Sequence, residues 1–231
     1  MLVRAGLGML AFSSPMTRRQ PRLISDAVEG PRPSLCVLDL DMCMWRPEMY
    51  ELWEMPSKPV TGNLHGRGDG VVGVMSGFET IQLFPGALAA LQEVYDGMHG
   101  NMRLAVASSA DTPRAVEIGK AAMKILEVVP GATFYDVLMR GWQDECHLQI
   151  GRSPPLSSDK SQTHFPILRE KTGIPYEEML FFDDSAWSDH CRIVEMNCKG
   201  VVTQRTPRGM QLSEWRAGLT RYAKVTTARG M

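Results

Sequence analysis

Two aspartates follow directly after a short apolar run, with Asp39 and Asp41 coming after residues 35–38. A carboxylate can attack phosphorus and form an aspartyl phosphate, which divides a difficult hydrolysis into two easier steps. An acid two residues further along can protonate the leaving oxygen and later deprotonate the attacking water. Asp39 therefore fits the role of nucleophile and Asp41 that of proton shuttle.

Further polar groups occur later in the chain. Ser108 and the pair Asp183-Asp184 each follow an apolar run, and Lys160 precedes a helical pattern. A hydroxyl and an ammonium group can stabilise the charge on phosphoryl oxygens. Carboxylates beside a phosphate require a cation, and Mg²⁺ suits a site of one or two carboxylates, a main-chain carbonyl and waters. A D-x-D pair alone is common in solvated turns, and the additional groups favour the catalytic interpretation.

The elements that must position these groups alternate between strands and helices. The apolar runs at 35–38, 104–107 and 179–182 predict buried parallel strands, whose carboxyl ends border the ligand crevice of such a sheet. A further strand is predicted at Val201-Val202. Helical patterns occur at 85–97, 113–126, 163–171, 187–196 and 211–224. The alternation predicts an α/β fold, a doubly wound parallel sheet of the Rossmann-like kind.

Two segments interrupt this alternation. Residues 42–83 are rich in glycine, and we interpret them as a flexible flap or a hairpin. Their segment Gly68–Gly73 matches G-x-G-x-x-G, but no strand of a βαβ unit precedes it, which disfavours a dinucleotide site. Residues 127–159 are weakly patterned, and we assign no element to them.

The order of these residues resembles the haloacid dehalogenase-like superfamily, and in detail its magnesium-dependent phosphatase branch. The matching segments are Val37–Asp41 with Trp45 after it, Thr163–Phe165 followed by Lys171–Pro175, and Phe181–Asp184. The resemblance covers about residues 34–224 and is weak in the two interrupting segments. It implies a haloacid dehalogenase-like domain at 31–231. The segment 42–83 is too short for a large cap domain, so we expect a small flap insertion and an open crevice.

The resemblance also implies roles for individual residues. It gives Mg²⁺ as the cofactor, with Asp39, the carbonyl of Asp41, and Asp184 as ligands and Asp183 just behind them. The substrate contacts that it implies are Leu40, Ser108, Ser109 and Lys160.

The chain departs from the family pattern at three positions. Cys43 stands where the family has Thr, and Ser109 stands where close relatives have an Arg that helps to bind substrate. Lys160 lies one residue further from Thr163–Phe165 than in the family. Loss of a guanidinium changes anion recognition, so the substrate cannot be carried over from the relatives.

These observations favour a magnesium-dependent phosphomonoesterase that acts through an aspartyl phosphate. Dehalogenase relatives lack the second acid, so Asp41 favours phosphoryl transfer over carbon–halogen cleavage. Phosphotyrosine-type and sugar-phosphate-type substrates both remain open. The alternatives are a catalytically weak phosphate-binding or scaffold protein of the same fold, and a phosphotransferase to an acceptor other than water.

Composition limits the partners and the compartment. The net charge of -1 and the absence of a long apolar run predict neither nucleic-acid nor membrane binding, so the expected partner is a phosphorylated small molecule or a phosphoprotein. Five irregularly spaced cysteines favour a reducing, intracellular compartment. Residues 1–30 are expected to be a disordered tail or a transit peptide, because residues 1–25 are arginine-rich and contain no acid. The location would then be the cytoplasm or an organelle.

Overall fold

A computed structural model describes residues 28–230, so nearly all of the expected tail lies outside the described residues. The helices of the described chain are α1 (Pro85–Tyr95), α2 (Pro113–Met123), α3 (Phe134–Leu138), α4 (His164–Thr172), α5 (His190–Asn197) and α6 (Leu212–Ala228). Its strands are β1 (Leu35–Leu38), β2 (Trp45–Arg46), β3 (Lys58–Asn63), β4 (Asp69–Ser76), β5 (Glu79–Leu83), β6 (Arg103–Ser108), β7 (Glu127–Val129), β8 (Ala132–Thr133), β9 (Leu148–Ile150), β10 (Met179–Asp183) and β11 (Val202–Arg205). No helix of this part of the chain combines the length and apolarity needed to cross a bilayer.

The central sheet has five parallel strands in the order β11-β10-β1-β6-β9. Strand β1 lies in the middle and is buried along its whole length, as its unbroken apolar run predicts. Successive side chains of β1 point to opposite faces of the sheet. Leu35 and Val37 join one hydrophobic cluster, and Cys36 and Leu38 join the other.

Helices cover both faces of this sheet. Phe165 of α4 and Val194 of α5 belong to the cluster of Leu35. Leu91 of α1, Ile118 of α2 and Leu219 of α6 belong to the cluster of Leu38. The predicted doubly wound α/β fold is therefore confirmed. The helix predicted from Trp187 begins instead at His190, because Asp189 accepts a hydrogen bond from the amide of Arg192 and caps it there.

The segment 42–83 forms an antiparallel sheet in the order β2-β5-β4-β3, which we call the flap sheet. Of the two expectations for this segment, a flexible flap or a hairpin, the structure shows the hairpin, β4-β5, within a four-stranded sheet. Two glycines of β4 leave room for neighbouring side chains of the same protein. A Cβ at Gly70 would lie 2.5 Å from Leu64 Cδ1, and one at Gly73 would lie 2.9 Å from Thr80 Cγ2.

The segment 127–159 contains β7, β8, α3 and the fifth strand of the central sheet, β9. Sequence reasoning missed these elements because each is at most five residues long, which is too short for a reliable periodicity. Strand β9 pairs with β6 up to Ser108 and so extends the edge at which the polar residues lie.

Candidate active site

The carboxyl ends of β1, β6 and β10 meet at one edge of the central sheet and border a crevice of about 660 Å³. Six of the residues selected from the sequence line it, namely Asp39, Asp41, Ser108, Ser109, Lys160 and Asp184. Two do not line it. Asp183 lies just behind the crevice wall and is completely buried, and the side chain of Leu40 packs into the core with 1% exposure. Only the main chain of Leu40 could therefore touch a substrate.

Lys160 lies at the centre of the site although it is 2% exposed. Its Nζ donates to Asp39 Oδ1 at 2.7 Å and to Asp183 Oδ2 at 2.6 Å. Burial alone would lower the pKa of Lys160, but Asp183 and Asp39 outweigh burial and raise it, so the side chain stays cationic. Lys160 is therefore a fixed positive charge in direct contact with Asp39.

The extra residue after Lys160 is absorbed in a local turn. The amide of Phe165 donates to the carbonyl of Lys160 at 3.0 Å, a hydrogen bond that spans five residues instead of the four of an α-helix. Asp159 accepts from the amide of Ser161 at 2.9 Å, and Thr163 Oγ1 accepts from the amide of Ser157 at 3.1 Å. These bonds fix the loop, so the one-residue offset does not remove Lys160 from the site.

Three carboxylates form the acid cluster of the site, Asp39, Asp183 and Asp184, with one oxygen of each within 4.8 Å of the others. They carry three negative charges when ionised, whereas Lys160 supplies one positive charge. Burial raises the pKa of Asp39 well above its ordinary value; Lys160 opposes this rise and Asp183 adds to it. Burial and Asp183 raise the pKa of Asp184 to about 6. The excess of two negative charges on oxygen ligands fits a divalent cation such as Mg²⁺.

Asp183 is held by donors on both of its oxygens. Besides Lys160 on Oδ2, the amide of Ser185 donates to Oδ1 at 2.7 Å and the hydroxyl of Ser185 donates to the same atom at 3.1 Å. These bonds orient Asp183 towards Lys160. They agree with its expected place behind Asp184.

Asp41 is fixed by the segment that follows it. Trp45 Nε1 donates to Oδ1 at 2.8 Å and the amide of Met49 donates to Oδ2 at 3.1 Å. Trp45 is completely buried and packs edge-on against Phe134. Burial raises the pKa of Asp41 to about 6, although both hydrogen bonds oppose the rise. A carboxyl group with this pKa can be protonated near neutral pH, as a general acid requires.

Ser108 and Ser109 line the crevice, and the buried His164 supports them from behind. His164 Nε2 lies 3.2 Å from the carbonyl of Ser108 and 3.1 Å from that of Gly151, and so joins the ends of β6 and β9. Burial lowers the pKa of His164 to about 4, so the neutral ring supports the loop. The hydroxyl of Ser109 is 3.4 Å from the carbonyl of Ser158.

Cys43 packs behind the nucleophile. Its side chain is completely buried, and its sulfur accepts from the hydroxyl of Thr206 at 3.3 Å. Burial and Asp39 raise the pKa of Cys43 well above its ordinary value. The remaining cysteines are also unpaired thiols with raised pKa values, and they are Cys36, Cys146, Cys191 and Cys198.

Several crevice residues were not selected as site residues from the sequence. They are Glu48, Tyr50, Asp111, Arg152, Trp187 and His190. Trp187 Nε1 lies 3.3 Å from Glu48 Oε1, and Arg152 forms an ion pair with Asp111. Four of them lie on loops, whereas Tyr50 lies in a short 3-10 helix and His190 begins α5. All except Arg152 follow Asp41, Ser108 or Asp184 within nine residues, which was a signal that the sequence offered.

Comparison with known proteins agrees with this geometry. Residues 31–225 match the family model described as Acid Phosphatase. The chain belongs to the acid phosphatase family. The human protein named magnesium-dependent phosphatase 1 is 28% identical over 195 residues, which are 84% of this chain and 90% of the human protein. A solved Bacteroides fragilis structure, the N-terminal part of a protein containing a phosphatase domain complexed with Mg, is 14% identical with a TM-score of 0.46. The match covers 87% of this chain and 41% of that chain.

Membership of the family confirms the predicted phosphatase, and with it the resemblance stated from the motifs. A phosphatase acts on phosphorylated substrates, which agrees with the expected class of partner. The human relative is named a magnesium-dependent phosphatase, and the acid cluster of this chain fits Mg²⁺. The roles of the individual site residues stay predictions.

Proposed function

We propose that this chain is a magnesium-dependent phosphomonoesterase that forms an aspartyl phosphate on Asp39. The observation that carries the proposal is the contact of Lys160 with both Asp39 and Asp183 beneath an open crevice. This contact places a fixed positive charge beside the proposed nucleophile. It also leaves the cluster with the excess negative charge that a divalent cation offsets.

Asp39 makes and breaks the bond to phosphorus in this mechanism. Lys160 donates to Oδ1 of Asp39, and the other oxygen, Oδ2, attacks the phosphoryl group. The bond from phosphorus to the leaving oxygen breaks as the new bond forms, and Asp41 protonates the leaving oxygen. Asp41 then takes a proton from water, which attacks phosphorus, releases phosphate and regenerates the Asp39 carboxylate.

The metal would be held by the carboxylates of Asp39 and Asp184 and by the main-chain carbonyl of Asp41. When bound, Mg²⁺ supplies charge neutralisation for the equatorial phosphoryl oxygens. Asp183 has a different task in this arrangement, because its two oxygens hold Lys160 and the Ser185 loop. The hydroxyl of Ser108 lines the crevice and is a donor for a phosphoryl oxygen.

The substrate is a phosphotyrosine-type or a sugar-phosphate-type monoester. The crevice is open, and the flap sheet is a small insertion rather than a large cap, so a bulky leaving group can enter. Water as acceptor agrees with a phosphatase, whereas a phosphotransferase would need a second bound acceptor.

Turnover of a generic aryl phosphate tests this proposal. We expect hydrolysis with Mg²⁺, loss of hydrolysis with a chelator, and a fall on the order of 10³-fold or more for Asp39→Asn, because the amide cannot attack phosphorus. A matched control is Asp136→Asn, which removes an exposed helix-capping carboxylate at α3. Metal-independent turnover, or an Asp39→Asn variant within about tenfold of the wild-type rate, would contradict the proposal.

A further inference from the structure

Exposed apolar side chains concentrate on the flap sheet and the segment that leads to it. Five of the nine large hydrophobic side chains that are exposed in residues 28–230 lie between positions 50 and 78, namely Tyr50, Trp53, Met55, Val60 and Phe78. Trp53 is 83% exposed and Phe78 is 99% exposed. Aromatic side chains gathered in water mark a surface that binds a partner.

Contacts of Glu54 bring residues 53–55 next to the hairpin tip at residues 76–78, at one end of the flap sheet. The hydroxyl of Ser76 donates to the carbonyl of Glu54 at 2.5 Å, and a Cβ at Gly77 would lie 3.2 Å from Glu54 Oε1. Glu54 lies between Trp53 and Met55, and Gly77 precedes Phe78. We call the surface formed by Tyr50, Trp53, Met55 and Phe78 the flap patch.

The flap patch is continuous with the active-site crevice. Tyr50 lines the crevice, and Trp53 follows it by three residues, a span of at most about 11 Å. Arg114 Nε donates to the carbonyl of Trp53 at 3.2 Å and so ties this segment to the first turn of α2, just after the crevice residue Asp111. A chain that leaves the crevice past Tyr50 therefore meets the patch within a few residues.

The charge around the flap patch is negative. Residues 47–57 contain three glutamates and no lysine or arginine, and Glu79 follows Phe78 at the hairpin tip. Arg46 and Lys58 flank this range in the chain, and Arg114 of α2 pairs with Glu117, so the four glutamates still outnumber the two flanking bases. Electrostatic complementarity favours a basic partner at such a surface.

We propose that the flap patch docks the substrate itself, a phosphoprotein segment that carries basic and apolar residues within a few positions of the phosphorylated one. The inference rests on the proposed phosphatase function and selects a protein over a small molecule as substrate. The apolar residues of the segment cover Trp53 and Phe78, and its bases face the glutamates. The phosphorylated side chain reaches Asp39 past Tyr50.

Two phosphotyrosine peptides of equal length test the inference, one flanked by Lys and Leu and the other by Glu and Ser. We expect the wild type to favour the basic, apolar peptide by on the order of 10-fold in kcat/KM, a size typical of one aromatic contact at an interface. Trp53→Ala combined with Phe78→Ala should abolish the preference and leave aryl phosphate turnover unchanged. Met98→Ala, which removes an exposed apolar side chain outside the patch, should keep the preference.

A second pair of changes addresses the charge. Glu51→Gln with Glu79→Gln should weaken the preference, and salt should weaken it in the wild type. Calorimetric binding of both peptides to Asp39→Asn needs no turnover, so a failed aryl phosphate assay and a failed docking surface are distinguishable.

The inference is overturned if the two peptides are used equally, or if the patch variant loses aryl phosphate turnover as well. It is also overturned if that variant changes the oligomeric state, or if the patch binds lipid vesicles instead of the peptide.

Discussion

Two groups of carboxylates in the described part of the chain differ in charge balance. In the acid cluster of the crevice, Asp39, Asp183 and Asp184 share the single ammonium of Lys160. In the second cluster, the single carboxylate of Glu93 receives hydrogen bonds from three side chains. Trp215 Nε1 donates at 2.9 Å, His99 Nε2 lies at 3.0 Å, and Arg216 binds both oxygens.

The pKa values of Asp184 and Glu93 follow the number of donors and cations around each carboxyl group. Burial raises the pKa of Asp184 to about 6, and Asp183 adds to the rise. Burial would also raise the pKa of Glu93, but its donors outweigh burial and lower the pKa to about 2. Both oxygens of Glu93 have donors, and these bonds tie α1 to α6. The crevice cluster lacks positive charge, and this deficit distinguishes a site for a cation and a phosphoryl group from an internal tie.

The largest expected effect concerns Asp41, whose raised pKa belongs to the crevice. Asp41→Asn should lower kcat/KM for an alkyl phosphate by on the order of 10²–10⁴-fold, and much less for an aryl phosphate, whose leaving group needs little protonation. Because Asp41 acts in its acid form, its contribution to alkyl phosphate turnover should be lost as pH rises through about 6, and the Asp41→Asn variant should lack this loss. Equal losses on the two substrates would contradict the acid role.

Removal of Lys160, the cation that is paired with Asp39 and Asp183, should increase the excess negative charge of the acid cluster. Lys160→Ala should lower kcat/KM by on the order of 10²-fold, as is typical when one preorganised electrostatic donor is lost. Steady-state kinetics on the aryl phosphate measures this, with Lys171→Ala, an exposed lysine of α4, as control. A Lys160→Ala variant with nearly wild-type kinetics would refute the role and direct attention to Arg152 at the crevice rim.

A smaller effect, on the Mg²⁺ requirement, should distinguish Asp184 from its neighbour Asp183. Asp184→Ala should raise the Mg²⁺ concentration for half-maximal activity by about 10-fold or more, because the site has few protein carboxylates. Asp183→Ala should lower kcat more than it shifts that midpoint, because Asp183 positions Lys160. Magnesium titration of activity tests both, and an unchanged midpoint for Asp184→Ala would move the ligand to Asp183.

The Glu93 cluster should affect stability and leave catalysis unchanged. The pKa of Glu93 is lower in the folded state than in the unfolded state. Glu93 therefore stabilises the fold above its unfolded pKa, and this stabilisation is lost as pH falls from about 4.5 to about 2. Glu93→Gln should lower the free energy of unfolding by ~1–3 kcal/mol near neutral pH. Urea denaturation at a series of pH values measures this, with the exposed Glu117→Gln as control. A stability difference that persists unchanged at low pH would show that Glu93 acts through packing.

The two clusters differ in how far the sequence predicts them. The crevice acids follow apolar strands, and parallel strands bring their carboxyl ends to one edge, so Asp39 and Asp184 could be placed from local patterns. Glu93 and Arg216 are 123 positions apart on two helices. Their pairing depends on how α1 packs on α6, which no short pattern contains.

The same distinction applies to the fold. The helix at α1 and the strands β1, β6 and β10 are long or apolar enough to predict. The flap sheet was obscured by glycines such as Gly70 and Gly73, which serve close packing there. Strand β9 has three residues, and its strand character depends on pairing with β6.

The buried thiol of Cys43 determines how the active site responds to oxidants. Peroxide and alkylating reagents attack the thiolate form of cysteine, and burial keeps Cys43 protonated although it lies directly behind Asp39. A phosphatase with a cysteine nucleophile needs a thiolate in its crevice and is switched off when that thiolate is oxidised. With an oxygen nucleophile, the chemistry proposed for this chain needs no thiolate in the crevice.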